Sequence, residues 1–402
     1  MLYYMFLRFG LLINLDFSMK NYFQKLVIFA LTLSVYSCGE KTQTDNKPKV
    51  FSIELADSLE VDFLKEMRLL DYDPNSKKFL LATEEPREYL EVDQKGEILT
   101  HNQFNRDGID VVGHAVSLGY FNGDVTVFDF QNGYMMFDDS TKVGEITLPY
   151  SYDVFIPNPK LGLFEHENKV YYPKPAQHSL MANHEDQNMF QAMYSLPIIE
   201  SQDKATKDIS DAIDLPESSP ILNGQVHGFT VPIYTFDEDQ LVLSLGIEPR
   251  LYVYQMQGGQ FIFEKTIDVN IPDWIGYKPV PMETPEKFFE EIRKIRPANL
   301  NNIFVLEDYY LVTYHRGISE EGMQELEFSE RYGLGALRED PYFVAVFDKD
   351  FNQLATNVPF PVPVHAPMVV NENGEIVVSK IAGLSETEDD GIVLYFLQLA
   401  ED

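Results

Sequence analysis

Residues 120–129 read YFNGDVTVFD: an Asn-Gly turn, then a run of β-branched and aromatic residues. Asn-Gly supplies the left-handed backbone that a tight hairpin needs, and Val125, Val127 and Phe128 suit a buried strand. The same phrase recurs as DPNSKKFLLAT (73–83), FEHENKVYYP (164–173), FDEDQLVLSLG (236–246), LEDYYLVTYH (306–315) and NENGEIVVSK (371–380). Six copies of one turn-and-strand unit are therefore present. A second hairpin follows most of them: YLEVDQKGEILTHN (89–102), YMMFDDSTKVGEITLP (134–149), LYVYQMQGGQFIFEKTIDV (251–269) and FVAVFDKDFNQLATNVPF (343–360). The unit closes on an apolar residue and proline at Leu148-Pro149, Leu215-Pro216, Ile271-Pro272 and Phe360-Pro361, which suits the exit from an outer edge strand.

Units of four strands repeated six times predict an all-β, six-bladed propeller of antiparallel blades. The turn-to-turn spacing starts near 45 residues (Asn75, Asn122, Asn168) and later exceeds 65, which places insertions near 175–192, 273–302 and 316–341. The last unit has two inner strands and then GIVLYFLQLA (391–400), one strand short, so VFSIEL (50–55) is expected to complete the final blade. A β-sandwich is the alternative, but sandwiches need no fixed phrase of this length. One helix is expected as a decoration, capped by Thr284, opened by Pro285 and stopped by Pro297. Its apolar face is Phe288, Phe289, Ile292 and Ile295, predicted to pack on the rim of blade 5, with Glu290 and Lys294 as a surface pair.

Composition narrows the partners. The chain has 402 residues, 31 Lys and Arg against 64 Asp and Glu, and a formal charge of -33. Such a balance argues against nucleic acid, whose phosphates require clustered cations. A single Cys excludes an internal disulfide framework and multi-thiolate metal sites, and a single Trp excludes repeats built on one Trp per unit.

That lone cysteine has an address. Residues 19–38 read MKNYFQKLVIFALTLSVYSC, with Lys20 and Lys25 before a short apolar run and Val35-Tyr36-Ser37-Cys38 in the pattern of a lipobox. The expected organisation is a signal peptide over 1–37, a lipidated flexible tether over 38–49 and a single propeller domain over 50–402. Met19-Lys20 reads as the natural start, with 1–18 as an over-extended start or a long n-region. Lipid on Cys38 would anchor the protein to the bacterial envelope, with the outer membrane as the expected destination, since two chains give stable attachment. The lipobox, the polar tether and the six-phrase organisation resemble outer-membrane lipoproteins with a TolB-like six-bladed propeller. The chain is most similar to a family of about this length known only as a domain of unknown function, and the resemblance implies no activity or catalytic residue.

Loops joining the second and third strands of a blade share one face with the loops joining blades. Arg87, Lys174, Arg250, Arg316 and Lys380 fall in the first kind, and His114, His227 and His365 in the second, with His315 beside Arg316. Glu85-Pro86-Arg87-Glu88-Tyr89 and Glu248-Pro249-Arg250-Leu251-Tyr252 repeat one phrase. A ring of cations there would take a small anionic ligand or an envelope protein, guanidinium groups matching carboxylate or phosphate; alternatively the same residues brace blade junctions. Trp274, in IPDWIGYKP, reads as a packing anchor and as the first aromatic to test for carbohydrate. His178 and His184 beside Glu185 and Asp186 match no established ligand spacing. No cofactor is predicted, although a divalent cation in the central channel is compatible with the fold. The leading expectation is a binding propeller without catalysis; a metal-assisted hydrolase or lactonase and a structural part of an envelope complex are the alternatives.

Overall fold

The computed structural model describes residues 49–401 except 109, 150–159, 175–188, 196, 332 and 385–390. The first strand, β1 (Phe51–Val61), belongs to the last blade. Blade 1 follows as β2 (Arg68–Asp73), β3 (Lys78–Ala82), β4 (Glu88–Val92) and β5 (Ile98–Gln103). Blade 2 is β6 (Ala115–Phe121), β7 (Asp124–Asp129), β8 (Gly133–Asp138) and β9 (Thr141–Ile146). Blade 3 is β10 (Phe164–His166), β11 (Lys169–Pro173), β12 (Ile199–Asp203) and β13 (Ile209–Ile213). A short strand β14 (Gln225–Val226) precedes blade 4, which is β15 (Ile233–Asp237), β16 (Gln240–Ser244), β17 (Arg250–Gln257) and β18 (Gln260–Asp268). Its partner β19 (Val280–Pro281) precedes blade 5: β20 (Asn299–Val305), β21 (Tyr309–His315), β22 (Phe343–Asp348) and β23 (Gln353–Pro359). Blade 6 is β24 (Val369–Val370), β25 (Ile376–Ser379), β26 (Ile392–Glu401) and, outermost, β1.

The protein is thus a six-bladed propeller with four antiparallel strands per blade. The turns behave as their residues require: Asn122 and Gly123 have φ of 55° and 89°, the paired left-handed conformations of a two-residue hairpin. Ring closure joins the two ends of the propeller chain, β1 running antiparallel to β26 from Phe51 opposite Glu401 to Val61 opposite Ile392. The pairing extends well beyond the 50–55 segment expected from sequence.

The core is divided by blade junction. Alternate residues of a strand face opposite sides of its sheet, so one blade feeds two junctions. Phe79 and Leu81 pack with Val377 and Leu394 of blade 6, while their neighbours Leu80 and Ala82 pack with Leu118 and Val127 of blade 2. Tyr134 and Tyr172 join blades 2 and 3, Tyr171 and Leu243 blades 3 and 4, Val253 and Val312 blades 4 and 5, and Val346 and Ile376 blades 5 and 6. Six apolar junctions close the ring. Burying both faces explains why the middle strands read as continuous apolar runs.

The structure refines the sequence reading in several places. Blade 3 has a second hairpin, β12–β13, that carries no apolar phrase: Glu200, Ser201 and Gln202 are buried polar residues. The expected helix is shorter, α2 (Glu286–Glu291), with Pro285 rather than Thr284 at its N-cap and Thr284 making no cap bond. It follows α1 (Met189–Tyr194) and precedes α3 (Glu320–Glu325) and α4 (Leu334–Glu339), so it is one of several short helices. Phe288 is its buried anchor and packs on Phe190, Phe229 and Tyr277, in the junction of blades 3 and 4 rather than on the rim of blade 5. The surface pair forms from Lys294 to Glu291 at 2.7 Å instead of Glu290.

Candidate functional site: a cavity over blade 4

The turn between β16 and β17 builds the site. Gly246 (φ 77°) lets the chain turn under Asn299, whose Oδ1 would lie 2.6 Å from any Cβ there. Ile247-Glu248-Pro249 follows, with the Arg250 N–H donating to the Glu248 carbonyl at 2.8 Å and Val269 N–H to the Pro249 carbonyl at 2.8 Å. The matching turn of blade 1 repeats this backbone, Arg87 N–H donating to the Glu85 carbonyl at 2.6 Å. The side chains then diverge. Glu85 is 86% exposed, and the Arg87 guanidinium donates to the carbonyls of Val112 and Gly113, tying blade 1 to the loop that enters blade 2. Glu248 instead turns inward and its side chain is only 10% exposed.

Glu248 is held asymmetrically. Tyr252 donates its phenol proton to Oε1 and lies 2.9 Å from Ser219 Oγ. Oε2 is buried and faces Arg250 Nη1 across a long contact of 3.5 Å. Burial pushes the Glu248 carboxyl above its ordinary value, against the hydrogen bond from Tyr252 and the charge of Arg250. Arg250 Nε donates to Asp268 Oδ1 at 2.9 Å, which raises the guanidinium pKa further. The arginine therefore lies between one buried and one exposed carboxylate.

These groups line a cavity of about 530 Å³, together with His227, Asn270, Trp274 and Tyr277. His227 comes from the loop entering blade 4, its backbone N–H donating to the Tyr194 hydroxyl at 2.9 Å. Burial lowers its pKa, which favours the uncharged ring, and Nε2 lies 3.0 Å from Asn223 Oδ1. Trp274 and Tyr277 belong to the strap from blade 4 to blade 5. That strap is fixed by the Ile275 N–H to the Arg316 carbonyl (2.9 Å) and the Ala298 N–H to the Ile275 carbonyl (2.8 Å). Gly276 passes beside the indole, where a Cβ would sit 2.8 Å from Trp274 Nε1.

Of the candidates read from sequence, the structure brings His227, Arg250 and Trp274 into this one cavity. The others stand apart. Lys174 Nζ pairs with Glu200 and Asp211, both at 2.9 Å. His114 donates its backbone N–H to Asp129 at 2.9 Å and sets its ring edge-on to Phe130. His315 Nδ1 lies 2.7 Å from Asp340 Oδ2, and Arg316 stacks 4.4 Å over the Phe343 ring. Lys380 bridges to Val364 through the backbone. His365 is held to about 4 by burial and by Arg68. Cys38, His178 and His184 lie outside the described residues.

Sequence reading missed Glu248, Asp268, Asn270 and Tyr277 as site members, although Glu248 sits in the repeated phrase. It also missed a polar tie across the ring. Bulges in the inner strands β2 and β20 re-aim Asp71 and Asn302. Asp71 accepts the N–H of Tyr120 at 2.7 Å and of Tyr72 at 2.9 Å, and Lys160 Nζ donates to Asn302 Oδ1 at 3.0 Å. Among the described residues, no three His, Cys, Asp or Glu side chains converge as a metal ion would need.

No family model and no curated protein matches the chain. Among solved structures it is similar to a member of the DUF4221 family from Bacteroides vulgatus, at 10% identity and a TM-score of 0.61, covering 88% of this chain and 99% of that one. It is also similar to a candidate exported protein from Bacteroides fragilis, at 11% identity and a TM-score of 0.51, covering 87% of this chain and 95% of that one. At such identities the likeness is one of fold.

Proposed function

We propose that this chain is an envelope-anchored binding propeller that holds a small polar ligand in the cavity over blade 4. One observation carries the reading: a cavity of about 530 Å³ gathers two carboxylates, the guanidinium between them and an indole. Its volume falls in the range of small-molecule sites, roughly 300–1,000 Å³, and its few polar groups converge from different loops. Lipid attachment at Cys38 and a TolB-like outer-membrane setting belong to the same proposal. They are supported by the 19–38 pattern and by the likeness in fold to a candidate exported protein.

The test exploits composition. Trp274 is the sole tryptophan, so its fluorescence reports on this cavity alone. Sugars, organic acids, amino acids and nucleotides titrated to millimolar concentration should include at least one that shifts the emission saturably and raises the thermal midpoint. A panel in which none does so would overturn the binding reading.

A further inference from the structure

Resting on the reading that the blade 4 cavity is a binding site, we infer that its ligand is a neutral sugar or polyol rather than an anion. Charge is the first ground. Three charged side chains line the cavity, Glu248, Arg250 and Asp268, and the arginine is engaged by both acids. Burial lowers the pKa of His227, which disfavours a positive charge there. The lining carries no net positive charge whether Glu248 is protonated or not. A carboxylate or phosphate approaching Arg250 would meet Glu248 and Asp268 beside it, a like-charge juxtaposition that selects against anions.

Hydrogen-bonding capacity is the second ground. A sugar hydroxyl both donates and accepts, so it suits a site where acceptors and donors alternate at close range. Glu248 is occupied within the fold, by Tyr252 at Oε1 and by Arg250 Nη1 at 3.5 Å from Oε2. Asp268 is the reachable acid of the lining, its side chain 81% exposed and its Oδ1 engaged by Arg250 Nε. Arg250 has five N–H donors, and the two acids do not exhaust them. Adjacent hydroxyls can therefore span the pair, one donating to Asp268 and its neighbour accepting from Arg250. Asp268 and Asn270 extend the polar rim.

Shape is the third. Trp274 and Tyr277 add two aromatic side chains to the lining next to those polar groups, and a pyranose, with C–H on its faces and hydroxyls round its edge, suits aromatic and polar groups side by side. Nucleobases would use the same rings but bring phosphate or ribose with them, and the charge balance disfavours the former.

The experiment compares neutral ligands (glucose, galactose, N-acetylglucosamine, mannitol) with charged ones (glucuronate, citrate, inorganic phosphate) on the full-length protein, read by Trp274 fluorescence and calorimetry. The expected result is saturable binding of at least one neutral compound, weakened about tenfold or more by Asp268→Asn with an unchanged thermal midpoint. Arg250→Gln, on a side chain one-third exposed, carries the second comparison. Saturation by glucuronate, citrate or phosphate alone overturns the inference and leaves the binding reading standing. Neutral binding untouched by both variants overturns it too, because the sugar would then be held elsewhere. No saturation by any compound removes the binding reading itself.

Discussion

Lys160, just before blade 3, places its Nζ 3.0 Å from Asn302 Oδ1 on the inner strand of blade 5. Asn302 is fully buried, and its Nδ2 donates to the carbonyls of Pro367 (3.2 Å) and Met368 (3.3 Å) at the entry to blade 6. One amide thus satisfies a cation and two backbone acceptors from separate parts of the ring. Asn302→Ala strands the two carbonyls and removes one contact from Lys160, and a buried polar group without a partner costs about 1–3 kcal/mol. The expected loss in chemical denaturation is roughly 2–4 kcal/mol. An unchanged midpoint would show that the tie contributes nothing.

Asp340 is a buried carboxylate that accepts Arg316 N–H at 2.9 Å, Gly317 N–H at 3.0 Å and His315 Nδ1 at 2.7 Å, with Arg296 Nε 3.6 Å away. It pins both ends of the 316–341 insertion. Asp340→Ala leaves a guanidinium and two amides uncompensated and is expected to cost about 3–5 kcal/mol. Limited proteolysis should then cut first within 316–341; cleavage at the wild-type rate there would contradict the pinning role.

Acid should act through two separable windows. Burial, then Arg68, holds His365 near 4, below its ordinary 6.5, so the stability it contributes is present above 6.5 and is lost as pH falls toward 4. Glu372 is held near 2, its burial outweighed by hydrogen bonds from Tyr72, Lys77 and Gln94, so its contribution is present above 4.5 and is lost as pH falls toward 2. His365→Gln should flatten the upper window and Glu372→Gln the lower one. Identical pH profiles for both variants and wild type would refute these assignments.

Backbone strain separates two glycines with the same hand. Gly96 has φ 84°, and a Cβ there would lie 2.1 Å from the Glu60 carbonyl oxygen of β1. Gly258 has φ 59° and open space round it. Gly258→Ala should cost about 1 kcal/mol, the ordinary penalty of a left-handed conformation, whereas Gly96→Ala should cost clearly more by pushing β1 away from blade 1. Equal costs would mean that β1 yields without resistance.

Cys38→Ala should transfer the protein from the membrane pellet to the soluble fraction of cells that express the full chain. Unchanged retention in the pellet would defeat the lipid anchor.

Much of the ring was legible because its turns are chemically explicit: Asn122-Gly123 must curl as it does, and the runs after each turn are buried on both faces. The β12–β13 hairpin was not, since its buried residues are Glu200, Ser201 and Gln202, and polar side chains give no strand period. Bulges hid Asp71 and Asn302 for a related reason: one extra residue changes which way the next side chain points, and no single residue type announces it. At the site, Arg250 and Trp274 stood out as scarce residues in an acidic chain with a single indole. Glu248 did not, because the same Glu-Pro-Arg phrase in blade 1 leaves Glu85 in solvent. Whether that glutamate turns inward depends on Tyr252 and Ser219, and Ser219 lies in the loop before blade 4, a relation that only the fold reveals.

The pairing of β1 with β26 also orders events in time. Synthesis makes Phe51 long before Glu401, yet the two face each other across one ladder. Contacts so distant in sequence form slowly, because most of the chain must be gathered before they add stability. Blade 6 is therefore the last to be completed, and until then both β1 and β26 present open edges. An incomplete chain would carry those edges as sites for pairing with another molecule, so the seam that locks the finished ring is also where an unfinished one is most exposed.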